Sequence, residues 1–261
     1  MWTSAELKER AKVALRGTYW KAFAISLIVT FVSGGVGSGF SAFQEFNGFD
    51  EVGTRDFHIS KTGDMALMLG VFAIVIGIVG IIMLISLGFK LFVGYPIIVG
   101  SKKYFIEAAE SASEVEKAKF NLLGHAFKGP HYLDVIKSMF VKDLYVFLWT
   151  LLLIIPGIVK GYSYAMVPYI LADNPNIGVK RSIELSREMT DGEKLDMFIL
   201  DLSFIGWFIL ALIPCGLGYY FLNPYYFSTH TELYRVLREK ALTSNICSFE
   251  ELGFSRPSEE I

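Results

Sequence analysis

The stretch LLLIIPGIVKGYSYAMVPYILADNP, residues 151–175, is apolar enough for lipid, yet it carries Pro156-Gly157, Lys160 and Pro168. Whether it crosses a bilayer once as a kinked helix or twice as a hairpin sets the side of everything that follows. As one helix, residues 144–172 reach about 43 Å at 1.5 Å per residue, which tilt or a kink fits to a hydrocarbon core of roughly 30 Å. Length alone does not decide.

A later stretch, MFILDLSFIGWFILALIPCGLGYYFLNPYYFSTHTELY, residues 197–234, reaches about 57 Å as one helix, nearly twice the core, and must fold back. Pro214, Gly216 and Gly218 mark the stop, giving arms 197–213 and 217–234. IIPGIVKGYSYAMVPY and LIPCGLGYYFLNPYY share a weak internal similarity: Ile-Pro followed by glycine, an aromatic return arm, then Pro-Tyr. Charge carries the comparison further. With both stretches as hairpins, twenty of the 24 Lys and Arg fall on the cytoplasmic side; with each crossing once, Lys180, Arg181, Arg187 and Lys194 move outside. The positive-inside rule prefers the hairpins, with Pro156-Gly157 as the outer turn of the first and Pro214 and Gly216 in the turn of the second.

Working outward, residues 21–40 form span one and 65–89 span two, joined by an acidic connection over 41–64. Thr3 and Glu6 fit a capping box on a short interfacial helix over 4–17, so span one reads as an uncleaved anchor. The expected fold is an all-α, polytopic transmembrane helix bundle. Its spans lie near 21–40, 65–89, 139–156, 158–172, 197–213 and 217–234. Residues 1–240 make one membrane domain and 241–261 a C-terminal tail, of which the final SRPSEEI reads as frayed. Between spans two and three, residues 101–142 read as a charged helix with a solvated face, then an amphipathic stretch. Both termini are expected in the cytoplasm.

Composition agrees: of 261 residues 53% are hydrophobic and 15% aromatic, with a mean hydropathy of +0.45, well above what a soluble core of this length needs. Net charge is −2, and no basic run interleaved with aromatics suggests nucleic acid. Cys215 and Cys247 form no ligand spacing, and His125 and His131 have only Asp134 near them, so no metal or other cofactor is expected. There is no GxSxG, Walker A, HExxH or GxGxxG motif in a supporting context.

LWTLLLIIPGIVKGYSYAMVPYILADNP, SIELSREMTDGEKLDMFILDLSFIGW and NPYYFSTHTELYRVL, in that order, with LFVGYPIIVGSKKYF and the YWKA that opens span one, resemble the bacterial membrane-protein family catalogued as domain of unknown function 975. More distantly, the Pro-Gly hairpin followed by a Ser-containing helix and Gly-x-Lys is similar to the membrane domain attached to some glycerophosphodiester phosphodiesterases. The resemblance implies a multi-span plasma-membrane protein, largely of Gram-positive bacteria, and no activity, cofactor or site.

Two features invite chemistry. Ala66, Gly70, Ala73, Gly77 and Gly80 recur at intervals of four and three, so span two offers a face of small residues to Gly35 and Gly39 of span one, with self-association as the alternative. Asp201, about 6–9 Å into its arm, is costly in lipid unless it faces protein or water. His230 lies at a similar depth on the return arm and Lys90 ends span two on the same side, while Asn223 is a further polar candidate. Alternatively, Asp201 simply reaches the cytoplasmic interface.

The pattern yields no reactive constellation and so no enzyme. The bilayer is the expected partner, beside a protein at the cytoplasmic face or a second copy of the chain. The first reading is an accessory or envelope-homeostasis protein. A transporter or lipid- or peptide-handling protein is the alternative, since broken helices often line binding sites.

Overall fold

The computed structural model describes residues 2–33, 63–111, 119–127, 131–213 and 216–254; for 63–68 only the helical backbone is described. Every regular element among them is helical. Helix α1, Ser4–Leu15, is capped by Thr3, whose hydroxyl accepts from the Glu6 N–H at 3.3 Å. Glu6 does not return the favour to Thr3; its carboxylate pairs with Arg10 at 2.6 Å. Leu7, Ala11 and Ala14 bury the inner face of α1, and Gly17 at φ +79° turns the chain into α2, Tyr19–Val32.

Helix α3, Gly63–Phe89, does not end where the apolar run ends. It passes through a π-helical turn, Lys90–Gly94, straight into α4, Tyr95–Glu110. Pro96 has no N–H to give back to the preceding turn, and the wider turn before it absorbs that loss. The side chains of α3 from Leu69 are almost all exposed, whereas α4 buries Tyr104, Phe105 and Ile106. The charged stretch after span two is therefore a core helix rather than a solvated one.

The first hairpin pairs α5, Tyr132–Leu152, with α6, Ile154–Ser163. Its turn is at Leu153, in extended backbone (φ −157°, ψ 136°), and not at Pro156-Gly157. Pro156 instead occupies the first turn of α6, where its missing N–H costs nothing. Gly157 lies at the crossing, where a Cβ would come within 2.6 Å of the Thr150 Cα. The return arm then breaks at 164–166 before α7, Val167–Asp173. Helix α8, Val179–Met189, supplies what the break leaves open. Ser186 Oγ accepts from Met166 N–H at 3.2 Å and donates to the Ser163 carbonyl at 2.9 Å. Hydroxyls that satisfy freed backbone groups are what make such a break tolerable in an apolar setting.

The second hairpin pairs α9, Lys194–Leu212, with α10, Leu217–Thr243, and enters α10 through Gly216 at φ +79°. Pro214 lies outside the described residues. At this crossing a Cβ on Gly218 would come within 2.7 Å of the Ala211 Cα.

The six-span expectation needs correction. Among the described residues, two helical stretches are long and apolar enough to cross a membrane, Leu69–Glu110 and Lys194–Leu212. Helix α2 covers 14 described residues, the first return arm is split into helices of 10 and 7 residues, and α5 carries Lys137, Lys142 and Asp143 along its length. Large exposed apolar side chains gather on α3 and at the hairpin tips, Leu151–Ile155 and Ile209–Ile213.

Away from those tips the bundle is tied by charge. Asp173, with its side chain fully buried, accepts from Arg238 at 2.9 Å and from the Tyr234 hydroxyl at 2.7 Å, with the Lys103 ammonium 3.7 Å away. The chain beyond α10 packs back as far as Phe254, burying Cys247 and Leu252. Arg181 meets both Glu188, at 2.9 Å, and Glu251, whose carboxyl its guanidinium holds below the usual range. Residues 255–261, where fraying was expected, lie outside the described residues.

Candidate functional site

The two hairpins, with α4, line an open cleft of about 340 Å³. Ile158, Gly161, Tyr162 and Tyr169 line it from the first hairpin, Met197, Asp201, Tyr226, Phe227 and His230 from the second, and Lys102 from α4. Its walls come from helices distant in sequence, joined because α6 and α7 break where α8 can cap them.

Asp201 is the best-supported polar group in the cavity. Its Oδ1 faces His230 Nε2 at 2.8 Å and accepts from the Tyr226 hydroxyl at 3.1 Å; its Oδ2 accepts from the Tyr162 hydroxyl at 2.8 Å. Tyr226 and His230 are one helical turn apart on α10, so one face presents both to the same carboxylate. Their rings lie 4.3 Å apart. Beside a carboxylate, Nε2 is the protonated ring nitrogen in both the neutral and the charged form that can donate there.

Lys102 stands apart from that cluster. Its Nζ donates to the Tyr169 hydroxyl at 3.1 Å and lies 4.6 and 4.7 Å from the ring centroids of Tyr169 and Phe227. Such cation–π contacts stabilise by about 0.5–2 kcal/mol each. Withdrawing an ammonium from water costs several kcal/mol when no counter-charge accompanies it.

The other residues singled out from sequence lie elsewhere. Lys90 reaches Asp143 at 3.7 Å, beside Tyr95, whose hydroxyl donates to the same carboxylate at 2.7 Å. Asn223, buried in α10, donates to Thr30 Oγ1 of α2 at 3.0 Å. The four-residue polar cluster thus separates into three places, with Asp201 and His230 together. Lys102 is not among the sequence candidates, and Tyr162 and Tyr226, which read from sequence as interfacial anchors and packing groups of the return arms, are hydrogen-bond donors to Asp201. The i, i+4 spacing of Tyr226 and His230 was the available signal, whereas Lys102 was hidden in a run read as solvated. Gly35, Gly39 and the side chain of Ala66 lie outside the described residues. A Cβ at Gly70, Gly77 or Gly80 meets nothing within 4 Å and Ala73 is exposed, so among the described residues nothing packs on the small-residue face. Among the described residues, no group of three His, Cys, Asp or Glu side chains could hold a metal ion.

The Asp201–His230 contact has a measurable consequence. In a double-mutant cycle of Asp201→Asn and His230→Ala, followed by unfolding in detergent micelles, the two losses differ from additive by about 1 kcal/mol. Additivity within about 0.3 kcal/mol means that the pair is not coupled.

Fold and site together define a protein that is all-helical in its regular elements among the described residues, where two helical stretches are able, by length and composition, to cross a membrane. The chain belongs to the family described as "Protein of unknown function (DUF975)", whose model matches residues 65–241. The match takes in Lys102, Tyr162, Asp201 and His230 and leaves α1 and α2, with YWKA, outside it. No curated protein and no solved structure matches the chain.

Proposed function

We propose that this chain is a non-enzymatic, multi-pass plasma-membrane protein that binds an amphiphile in the cleft between its two hairpins. The observation that carries this reading is the cavity itself, with the Asp201 cluster and Lys102 beside the apolar walls of Ile158, Met197 and Phe227. A purely accessory role gives such a cavity no occupant. Exposed apolar side chains on α3 and at the hairpin tips support membrane insertion. The distribution of Lys and Arg supports cytoplasmic termini. Pockets that combine apolar walls with a few convergent polar groups are the usual form of small-ligand sites.

The test is occupancy. In proteoliposomes containing a diacyl lipid with a photoactivatable group near its head, labelling is expected on cleft residues of α6, α7, α9 and α10. Gly161 lines the cavity and a Cβ there meets nothing within 4 Å, so Gly161→Trp fills the cleft without a clash at its base. This variant is expected to lower cleft labelling about tenfold, equivalent to about 1.4 kcal/mol of binding, with the unfolding midpoint little changed. Labelling confined to α3 and the hairpin tips, and unaffected by Gly161→Trp, overturns the reading.

A further inference from the structure

Among the described residues, the Lys102 ammonium in the cavity forms no ion pair. Several cations packed into the bundle are matched by carboxylates: Arg238 has Asp173 and Glu110, Arg181 has Glu188 and Glu251, and Arg235 has Glu232, while Lys8 of α1 rests on Ser203 and over the Phe204 ring. Lys103, the neighbour of Lys102, reaches Asp173. Among the described residues no carboxylate comes within 4.0 Å of the Lys102 ammonium, whose contacts are one phenol oxygen and two aromatic faces. Asp201 lines the same cavity but is already engaged by Tyr162, Tyr226 and His230. An ammonium held between aromatic faces keeps N–H donors to spare, since it has three and Tyr169 takes one. Electrostatics in a half-buried, apolar-walled site favours filling that position with an anion.

We infer that the ligand of this cleft presents an anionic group, a phosphate or a carboxylate, to Lys102. This rests on the cleft-binding reading above and assigns its polarity. Tyr169 and Phe227 hold the ammonium in place, and the walls at Ile158 and Met197 receive the apolar part that follows the head. Asp201, held by its three donors, marks the opposite pole and disfavours a second anionic group there.

The experiment uses the full chain in a neutral maltoside detergent and competes the photoactivatable lipid with three probes. These are dioleoylphosphatidylglycerol, dioleoylglycerol with the same tails and no phosphate, and inorganic phosphate. Phosphatidylglycerol is expected to compete about tenfold better than dioleoylglycerol, a difference of about 1.4 kcal/mol. Lys102→Met is expected to abolish that preference, so that the two lipids compete equally, and Lys102→Arg to keep it. Methionine replaces a half-buried charge by an apolar chain of similar reach, so folding is not at risk from a new buried charge. Competition by inorganic phosphate alone, lost in Lys102→Met, assigns the anion site to a soluble ligand. No competition by phosphate, with the lipid preference still dependent on Lys102, assigns it to a lipid head. Equal competition by the two lipids in the native protein and in Lys102→Met overturns the anionic assignment and leaves cleft binding standing. Absence of any cleft labelling in the native protein overturns both.

Discussion

Replacing Asp173 by alanine is expected to destabilise the protein by about 3–5 kcal/mol, the range for breaking a buried ion pair by removing one partner. Asp173 is the last residue of α7, where a negative charge opposes the helix dipole, so local structure gives no reason for it to be there. Its reason is tertiary. Arg238 and Tyr234 from α10 and Lys103 from α4 converge on a carboxylate with no exposed surface. Without it, Arg238 keeps only Glu110 among its carboxylate partners, and the Lys103 ammonium, itself largely buried, loses Asp173. The uncompensated charge is the main source of the loss, which makes a second outcome distinctive. Adding Arg238→Met to Asp173→Ala should cost less than the sum of the single changes, because removing both charges relieves the desolvation penalty that one removal exposes. Denaturant unfolding in micelles measures both. A loss under about 1 kcal/mol for Asp173→Ala, or a double variant as unstable as the sum, contradicts the role given to the cluster.

The same residue shows what the sequence could and could not say. The run ADNP marks where a return arm ends, but partners 61 and 65 residues further on are not legible from a single sequence. Apolar runs and charge made the helical hairpins legible, and glycine chemistry marked Gly216 as a turn. Equal depths along the arms of the second hairpin brought Asp201 and His230 together on paper, and they face each other at 2.8 Å. Three things escaped for physical reasons. Helix α3 continues into α4 because a π-helical turn accommodates Pro96, whereas the apolar run alone ends span two at Phe89. The break in the first return arm is tolerated because one hydroxyl of α8, that of Ser186, about twenty residues later, satisfies its backbone. Lys102 and Lys103 are adjacent, yet one faces the cavity and the other the Asp173 cluster, a division that a one-dimensional charge run conceals.

The weak likeness between the two hairpins also gains a physical meaning, and it leads to the second large effect. What the two return arms share is a glycine at the crossing. Gly157 leaves no room beside Thr150 and Gly218 none beside Ala211. A third close approach lies under α4, where a Cβ on Gly100 would come within 2.7 Å of the Leu123 carbonyl carbon in the helical turn Phe120–Phe127. In each case the crowding includes backbone or a Cβ, which cannot swing aside as the end of a long side chain can. Gly100→Ala, Gly157→Ala and Gly218→Ala are each expected to cost about 1–3 kcal/mol through overpacking. This loss runs against the gain of up to about 1 kcal/mol that alanine brings over glycine within a helix. Gly161→Ala provides the contrast, because it sits in α6 with nothing within 4 Å and should therefore be neutral or stabilising. Thermal unfolding of the four variants in one detergent decides the matter. If all four behave like Gly161→Ala, the crossings are looser than this packing requires, and close approach is not what holds the hairpins around the cleft. If Gly157→Ala and Gly218→Ala also shift the labelling of Tyr162 and Asp201, the same two crossings that fix each hairpin fix the width of the space between them.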